Sequence, residues 1–87
     1  MYSVYILESL RKKGKTYVGL TIKDLEVRIK EHNKGLSRYT KAYIPWKLIY
    51  YERFYCKLCA EKREKFLKSG FGYKFRRLIL KYQNQLK

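Results

Sequence analysis

"SVYIL", residues 3–7, and "TYVGL", residues 16–20, decide how the rest of the chain is read. Each is a short run of valine, tyrosine and leucine or isoleucine, residues that suit a pleated, half-buried strand. Between them "SLRKKGK", residues 9–15, is polar and holds Gly14, so it reads as the loop of a hairpin joining strands 3–8 and 15–20. One tyrosine sits inside each strand, Tyr5 and Tyr17, and Gly19 follows the second. In an antiparallel pair these tyrosines share a face only if paired residue numbers sum to an even value. The expectation is an even sum, or a bulge that restores it, with both hydroxyls turned toward one cleft.

Outward from the hairpin, "TIKDLEVRIKEHNKG" predicts a helix over 22–34. Thr21 followed by Asp24 resembles a capping box, Leu25, Ile29, His32 and Leu36 follow helical spacing, and Gly35 suits the stop. Residues 36–46, "LSRYTKAYIPW", read as a loop, because Pro45 interrupts any regular element there. "KLIYYERF", 47–54, is a third strand, and "KLCAEKREKFLKSG" a second helix ending near Gly70. "YKFRRLILKYQNQ" is a third helix, with Phe75, Leu78, Ile79 and Tyr82 on one face. The order β-β-α-β-α-α predicts an α+β fold over residues 1–87 as one domain, a small three-stranded antiparallel sheet flanked by helices.

Composition narrows the function. A chain of 87 residues buries only roughly 60% of its unfolded surface, which leaves little room for deep cavities. Twenty-two Lys and Arg against seven acids give a net charge of +15, divided as +6 over residues 1–45 (10 − 4) and +9 over 46–87 (12 − 3). A positive excess in both halves suits a polyanion, and nucleic acid is the expected partner. No apolar run approaches the ~18 residues that cross a membrane, and the start "MYSVYILESL" lacks the look of a secretory signal, so the cytoplasm is the expected location and a membrane is not a partner. Cys56 and Cys59 form "CKLC" beside a single histidine, too few ligands for tetrahedral zinc. They read as two small, semi-buried thiols near a helix start.

Several residues fall where phosphodiester chemistry would want them. Hydrolysis needs a positioned water, a proton acceptor, neutralisation of phosphate charge and help for the leaving oxygen. Arg28 follows Leu25 by three and precedes His32 by four, so these share one side of the helix, and an arginine there presents a planar fork to phosphate. Glu64 lies four after Ala60 and three before Leu67, at the edge of an apolar stripe, while Glu61 points to solvent. Gly19 removes a side chain where a phosphate would come close. Arg38, Tyr39, Lys41 and Tyr43 alternate basic and aromatic character and read, with Gly19, as nucleic-acid contacts; Tyr39, Tyr43 and Trp46 are candidates to stack on bases.

The ordered set Tyr5, Tyr17-Val18-Gly19, Arg28, His32-Asn33 and Glu64 resembles the GIY-YIG nuclease domain, in its small stand-alone form, from residue 2 to about 80. Ser3 stands where the first motif has glycine, and Leu20 where some repair-nuclease members carry lysine. The resemblance implies a metal-dependent endonuclease; its substrate is expected to be DNA, with RNA as the alternative. By position Tyr5 and Tyr17 match the two motif tyrosines, Arg28 the catalytic arginine, and Glu64 the carboxylate holding one divalent ion, Mg²⁺ or Mn²⁺. His32 matches a general-base position of some members. Tyrosine titrates near 10, so two routes stay open: a nearby cation lowers that value, or neutral hydroxyls position water while a base such as His32 takes the proton. Low sequence specificity is expected unless a partner protein or the shape of the DNA supplies it. The competing reading is a basic nucleic-acid-binding module that kept the fold and lost the activity.

Overall fold

The computed structural model describes residues 1–85. The elements in chain order are β1 (Tyr2–Ser9), β2 (Thr16–Thr21), α1 (Leu25–Asn33), β3 (Trp46–Phe54), α2 (Lys57–Lys68) and α3 (Gly70–Gln85), with a short 3₁₀ turn at Lys41–Tyr43 inside the expected loop. The three strands form one antiparallel sheet in the order β2-β1-β3, so β1 is central.

β1 pairs with β2 in the register Ser3↔Thr21, Tyr5↔Gly19 and Leu7↔Tyr17. Every sum is 24, an even value, and the two tyrosines stand on the same face with ring centres 6.5 Å apart. Being central, β1 is covered on both faces. Val4 and Ile6 join Val18, Ile49, Ala60 and Leu67, under α2 and α3. Tyr5 and Leu7 join Leu25 and Trp46, under α1 and the segment leading into β3. The β3 register shifts between Ile6 and Leu7, from Ile6↔Tyr50 to Leu7↔Leu48. This bulge at Ile49 breaks strand alternation, so Leu48 and Trp46 face the tyrosines while Tyr50 and Phe54 face the other helices.

Four expectations are corrected. α1 begins at Leu25, not near residue 22, because Asp24 is the cap: its carboxylate accepts the Glu26 amide at 2.9 Å. Thr21 remains in β2 opposite Ser3, its hydroxyl accepting the Lys23 amide at 3.0 Å. At the other end Gly35 (φ +79°) does stop the helix: its amide reaches the His32 carbonyl at 3.1 Å and the Leu36 amide the Glu31 carbonyl at 3.1 Å, a closing turn that leaves Leu36 exposed rather than on the core face. The break between α2 and α3 falls at Ser69, and Gly70 already belongs to α3. There Gly72 is buried, and any side chain on it would strike the Leu67 backbone, so α3 presses on α2 through its 72–76–79–80 side. Phe75 and Ile79 pack inward as expected, whereas Leu78 and Tyr82 are exposed.

A half-buried ion pair ties the layers together. Arg63 on α2 donates to both carboxylate oxygens of Glu52 on β3 at 2.9–3.1 Å, and the Tyr50 hydroxyl donates to the same group at 2.6 Å. Among the described residues no helix is long and apolar enough to cross a membrane.

Candidate active site

β1 delivers Tyr5 to the α1 face, and α1 delivers His32 onto it. The Tyr5 hydroxyl and His32 Nε2 are 2.8 Å apart, and His32 Nδ1 is 2.8 Å from the Thr40 hydroxyl. Tyr5, His32 and Thr40 are all buried, at 0–1% exposure. Arg28, one turn before His32, turns its guanidinium toward the same Tyr5 hydroxyl. Glu31 holds that guanidinium from the side, accepting from Nη1 at 3.0 Å while also pairing with Lys23 at 2.7 Å. The Tyr17 ring packs on His32, centres 5.3 Å apart, and on Trp46 at 6.4 Å. Tyr5, Tyr17, Arg28 and His32 are therefore one cluster, on one face of the sheet.

Burial sets the electrostatics. It pushes the Tyr5 hydroxyl up to about 12; Arg28 pulls the other way and loses, while Tyr17 and Glu64 add to the rise. Of the two routes left open for the tyrosines, burial favours the neutral hydroxyl at Tyr5. Burial also pushes His32 down to about 4, with the Arg28 charge adding and Glu31 opposing. The imidazole is thus neutral, with both nitrogens engaged inside the protein.

Glu64 comes from α2, which packs against β2, one of the two edge strands, on the other side of the sheet. It is half-buried, its charge is felt at Tyr5, and its carboxylate pairs with Lys68 at 3.2 Å. Glu61, one turn back, is exposed. Among the described residues no group of three or more His, Cys, Asp or Glu side chains is placed to hold a metal ion.

Other candidates land elsewhere. Gly19 does not clear room for a phosphate: a side chain there would run into the end of the Tyr5 ring, whose Cζ and hydroxyl already fill the space. Trp46 is no stacking platform. It is buried, its Nε1 donates to the Thr40 carbonyl at 2.8 Å, and its backbone is clamped on both sides by the Asn33 amide at 2.6 and 3.0 Å. Tyr43 is half-buried, with the Lys12 and Lys15 ammonium groups 5.9 and 5.0 Å from its ring centre. Arg38, Tyr39 and Lys41 are exposed on the loop that Ser37 and Thr40 anchor inward. Cys56 and Cys59 are exposed, not semi-buried, because Cys56 sits at the cap of α2, its sulfur accepting the Cys59 amide at 3.4 Å. Thr40 and Glu31 were not foreseen. Glu31 was findable as the i+3 partner of Arg28; Thr40 lies in a loop whose basic and aromatic residues drew the reading.

Residues 1–76 match the GIY-YIG catalytic domain, a span that contains every member of this cluster. The chain belongs to the GIY-YIG family. It is 44% identical over 70 residues to UPF0213 protein CPE1444 of Clostridium perfringens, covering 79% of this chain and 72% of that one. It is 40% identical over 77 residues to UPF0213 protein SSP2268 of Staphylococcus saprophyticus, and 38% identical over 77 to UPF0213 protein SAV0488 of Staphylococcus aureus; in both cases 87% of this chain and 90% of the relative are covered. These GIY-YIG relatives are of similar, small size. The GIY-YIG domain is a nuclease domain, which makes nucleic acid the class of substrate.

Proposed function

We propose that this GIY-YIG protein is a metal-dependent endonuclease that hydrolyses phosphodiester bonds of DNA. The observation that carries the proposal is the convergence of Arg28, His32 and Tyr17 on Tyr5, with Glu64 near enough for its charge to be felt there. Arg28, aimed by Glu31, neutralises phosphate charge. Tyr5 stays protonated, its hydroxyl paired with His32 Nε2, while His32 Nδ1 is paired with the Thr40 hydroxyl. Buried and approached by Arg28 at the same hydroxyl, Tyr5 holds the guanidinium and the imidazole in place beside the phosphate. His32, shut away from solvent with both nitrogens engaged, acts only through Tyr5 and so serves as a positioning residue. Tyr17, half-buried beside it, supplies the second hydroxyl.

The donor set fits one loosely held hard cation. A single carboxylate, Glu64, is what Mg²⁺ or Mn²⁺ uses when waters and substrate phosphate provide the remaining ligands, and His32 has no free nitrogen to contribute. The ion would supply Lewis-acid neutralisation at the scissile phosphate.

The test is incubation of labelled single-stranded DNA, duplex DNA and RNA with the protein, with Mg²⁺, Mn²⁺ or EDTA. Cleavage of DNA in Mg²⁺ or Mn²⁺ and none in EDTA is expected. Glu64→Ala should abolish cleavage and leave binding equal or slightly tighter, since a negative charge leaves a basic surface. Arg28→Ala should stop cleavage and weaken binding; Glu61→Ala should change neither. Tight binding without cleavage under any metal would establish the inactive binding module instead, and undiminished cutting by Glu64→Ala would remove Glu64 from the site.

A further inference from the structure

A cleft of about 770 Å³ lies between α3 and the β1–β2 turn, on the side of the sheet away from Tyr5 and Tyr17. Lys74, Arg76, Arg77 and Lys81 of α3 line it, with Gly14 and Thr16 on the facing wall. Lys74, Arg77 and Lys81 are spaced i, i+3 and i+7, a single stripe of cations about 5–6 Å apart along the helix. The facing turn carries exposed Lys13, whereas Arg11, Lys12 and Lys15 of the same turn reach the other way, toward Ala42 and Tyr43. α3 has no Asp or Glu, and among the described residues none of its four lining cations has a carboxylate partner.

Arg76 marks the cleft as unfinished. Its Nη1 donates to the Leu67 carbonyl at 2.9 Å, but its Nε is buried and has no partner. An orphaned buried donor is rare in a folded protein. The neighbouring Arg76 and Arg77 guanidiniums both lie over the Tyr73 ring, at 5.8 and 5.9 Å, so like charges are gathered rather than dispersed. Such an arrangement calls for anionic oxygens that the chain itself does not provide.

Resting on the reading of the partner as nucleic acid, we propose that this cleft binds the phosphodiester backbone at a second place, separate from the tyrosine cluster. The stripe suits a repeating anion better than a single one, and arginine forks match phosphate oxygens. With contacts on two sides of the sheet, a nucleic acid long enough to reach both should be held more tightly than one that spans only the tyrosine cluster.

The experiment compares two triple variants of equal charge change. Lys74→Gln/Arg77→Gln/Lys81→Gln alters the cleft, and Lys57→Gln/Lys62→Gln/Lys65→Gln alters exposed positions of α2. Affinity for a labelled duplex of about 30 base pairs is measured in EDTA across a salt series, and again in an Arg28→Ala background. Loss of three phosphate contacts should flatten the log–log salt slope by about 2 to 3 and weaken binding at least tenfold for the cleft triple, with a much smaller change for the α2 triple. The losses from the cleft triple and Arg28→Ala should add, as for separate sites. Equal losses in the two triples would overturn the proposal, as would a cleft triple that loses binding to phosphatidylserine vesicles while holding nucleic acid unchanged. Because the readout is binding in EDTA, a protein that cuts nothing but shows the cleft effect fails only as a nuclease. A protein that cuts but shows no cleft effect overturns only this inference.

Discussion

At the scale of the residue, the cluster turns on how Tyr5 is held. Its ring end occupies the space over Gly19, and its hydroxyl is fixed by His32. Gly19→Ala therefore places a methyl against the ring and should destabilise the fold by about 1–3 kcal/mol, read as a lower denaturant midpoint. If Gly19 instead kept space only for a phosphate, stability would be unchanged and binding alone would suffer. His32 gives a pH signature. Its folded value of about 4 lies below the ordinary 6.5, so between these pH values the unfolded chain binds more protons and stability falls as the pH drops. Carboxylates whose values are lowered, Glu31 and Glu52, weaken the fold only below 4.5, which leaves the range from 6.5 to 5 to His32. Wild type should lose about 2 kcal/mol between pH 7 and 5, and His32→Gln should be nearly flat there despite its lower starting stability. Parallel curves for the two proteins would mean that His32 is protonated in the native state.

At the scale of the element, α1 and α2 bring their charges to the sheet in different ways. α1 carries Arg28, Glu31 and His32 within two turns, so their mutual geometry follows from one helix. α2 places Glu64 from the opposite side, and Lys68, one turn on, already pairs with it. A cation bound at Glu64, as proposed, would compete with that ammonium. Exposed pairs of this kind contribute ~0–1 kcal/mol, so Lys68→Gln should lower the Mg²⁺ concentration for half-maximal cleavage by up to about fivefold. An increase in that concentration would indicate that Lys68 serves the phosphate rather than restraining the carboxylate.

At the scale of the whole molecule, charge dominates. A net +15 is spread over both halves of the chain, and four cations of α3 gather in one cleft whose lining holds no acid. If about six phosphates are neutralised in all, affinity for DNA should fall about a thousandfold between 50 and 200 mM salt. A flat titration would show that the charge serves something other than a polyanion.

The sequence by itself determined the order of elements, the even hairpin register and the family. Strand propensity, helical spacing and the ordered motif residues are local signals, and they place Tyr5, Tyr17, Arg28 and His32 on facing surfaces without further information. Asp24 rather than Thr21 as the cap was a choice between two capable side chains, decided when Thr21 was committed to pairing with Ser3. Only the tertiary structure decided that Gly19 makes room for the Tyr5 ring, that Thr40 completes the His32 contacts, that Trp46 is interior and that Leu78 is not. Those outcomes depend on which residues from distant parts of the chain share a volume, as where Gly72 lets α3 press on the Leu67 backbone. The titration of Tyr5 and His32 belongs to the same class, because it is set by the removal of water from around both groups at once.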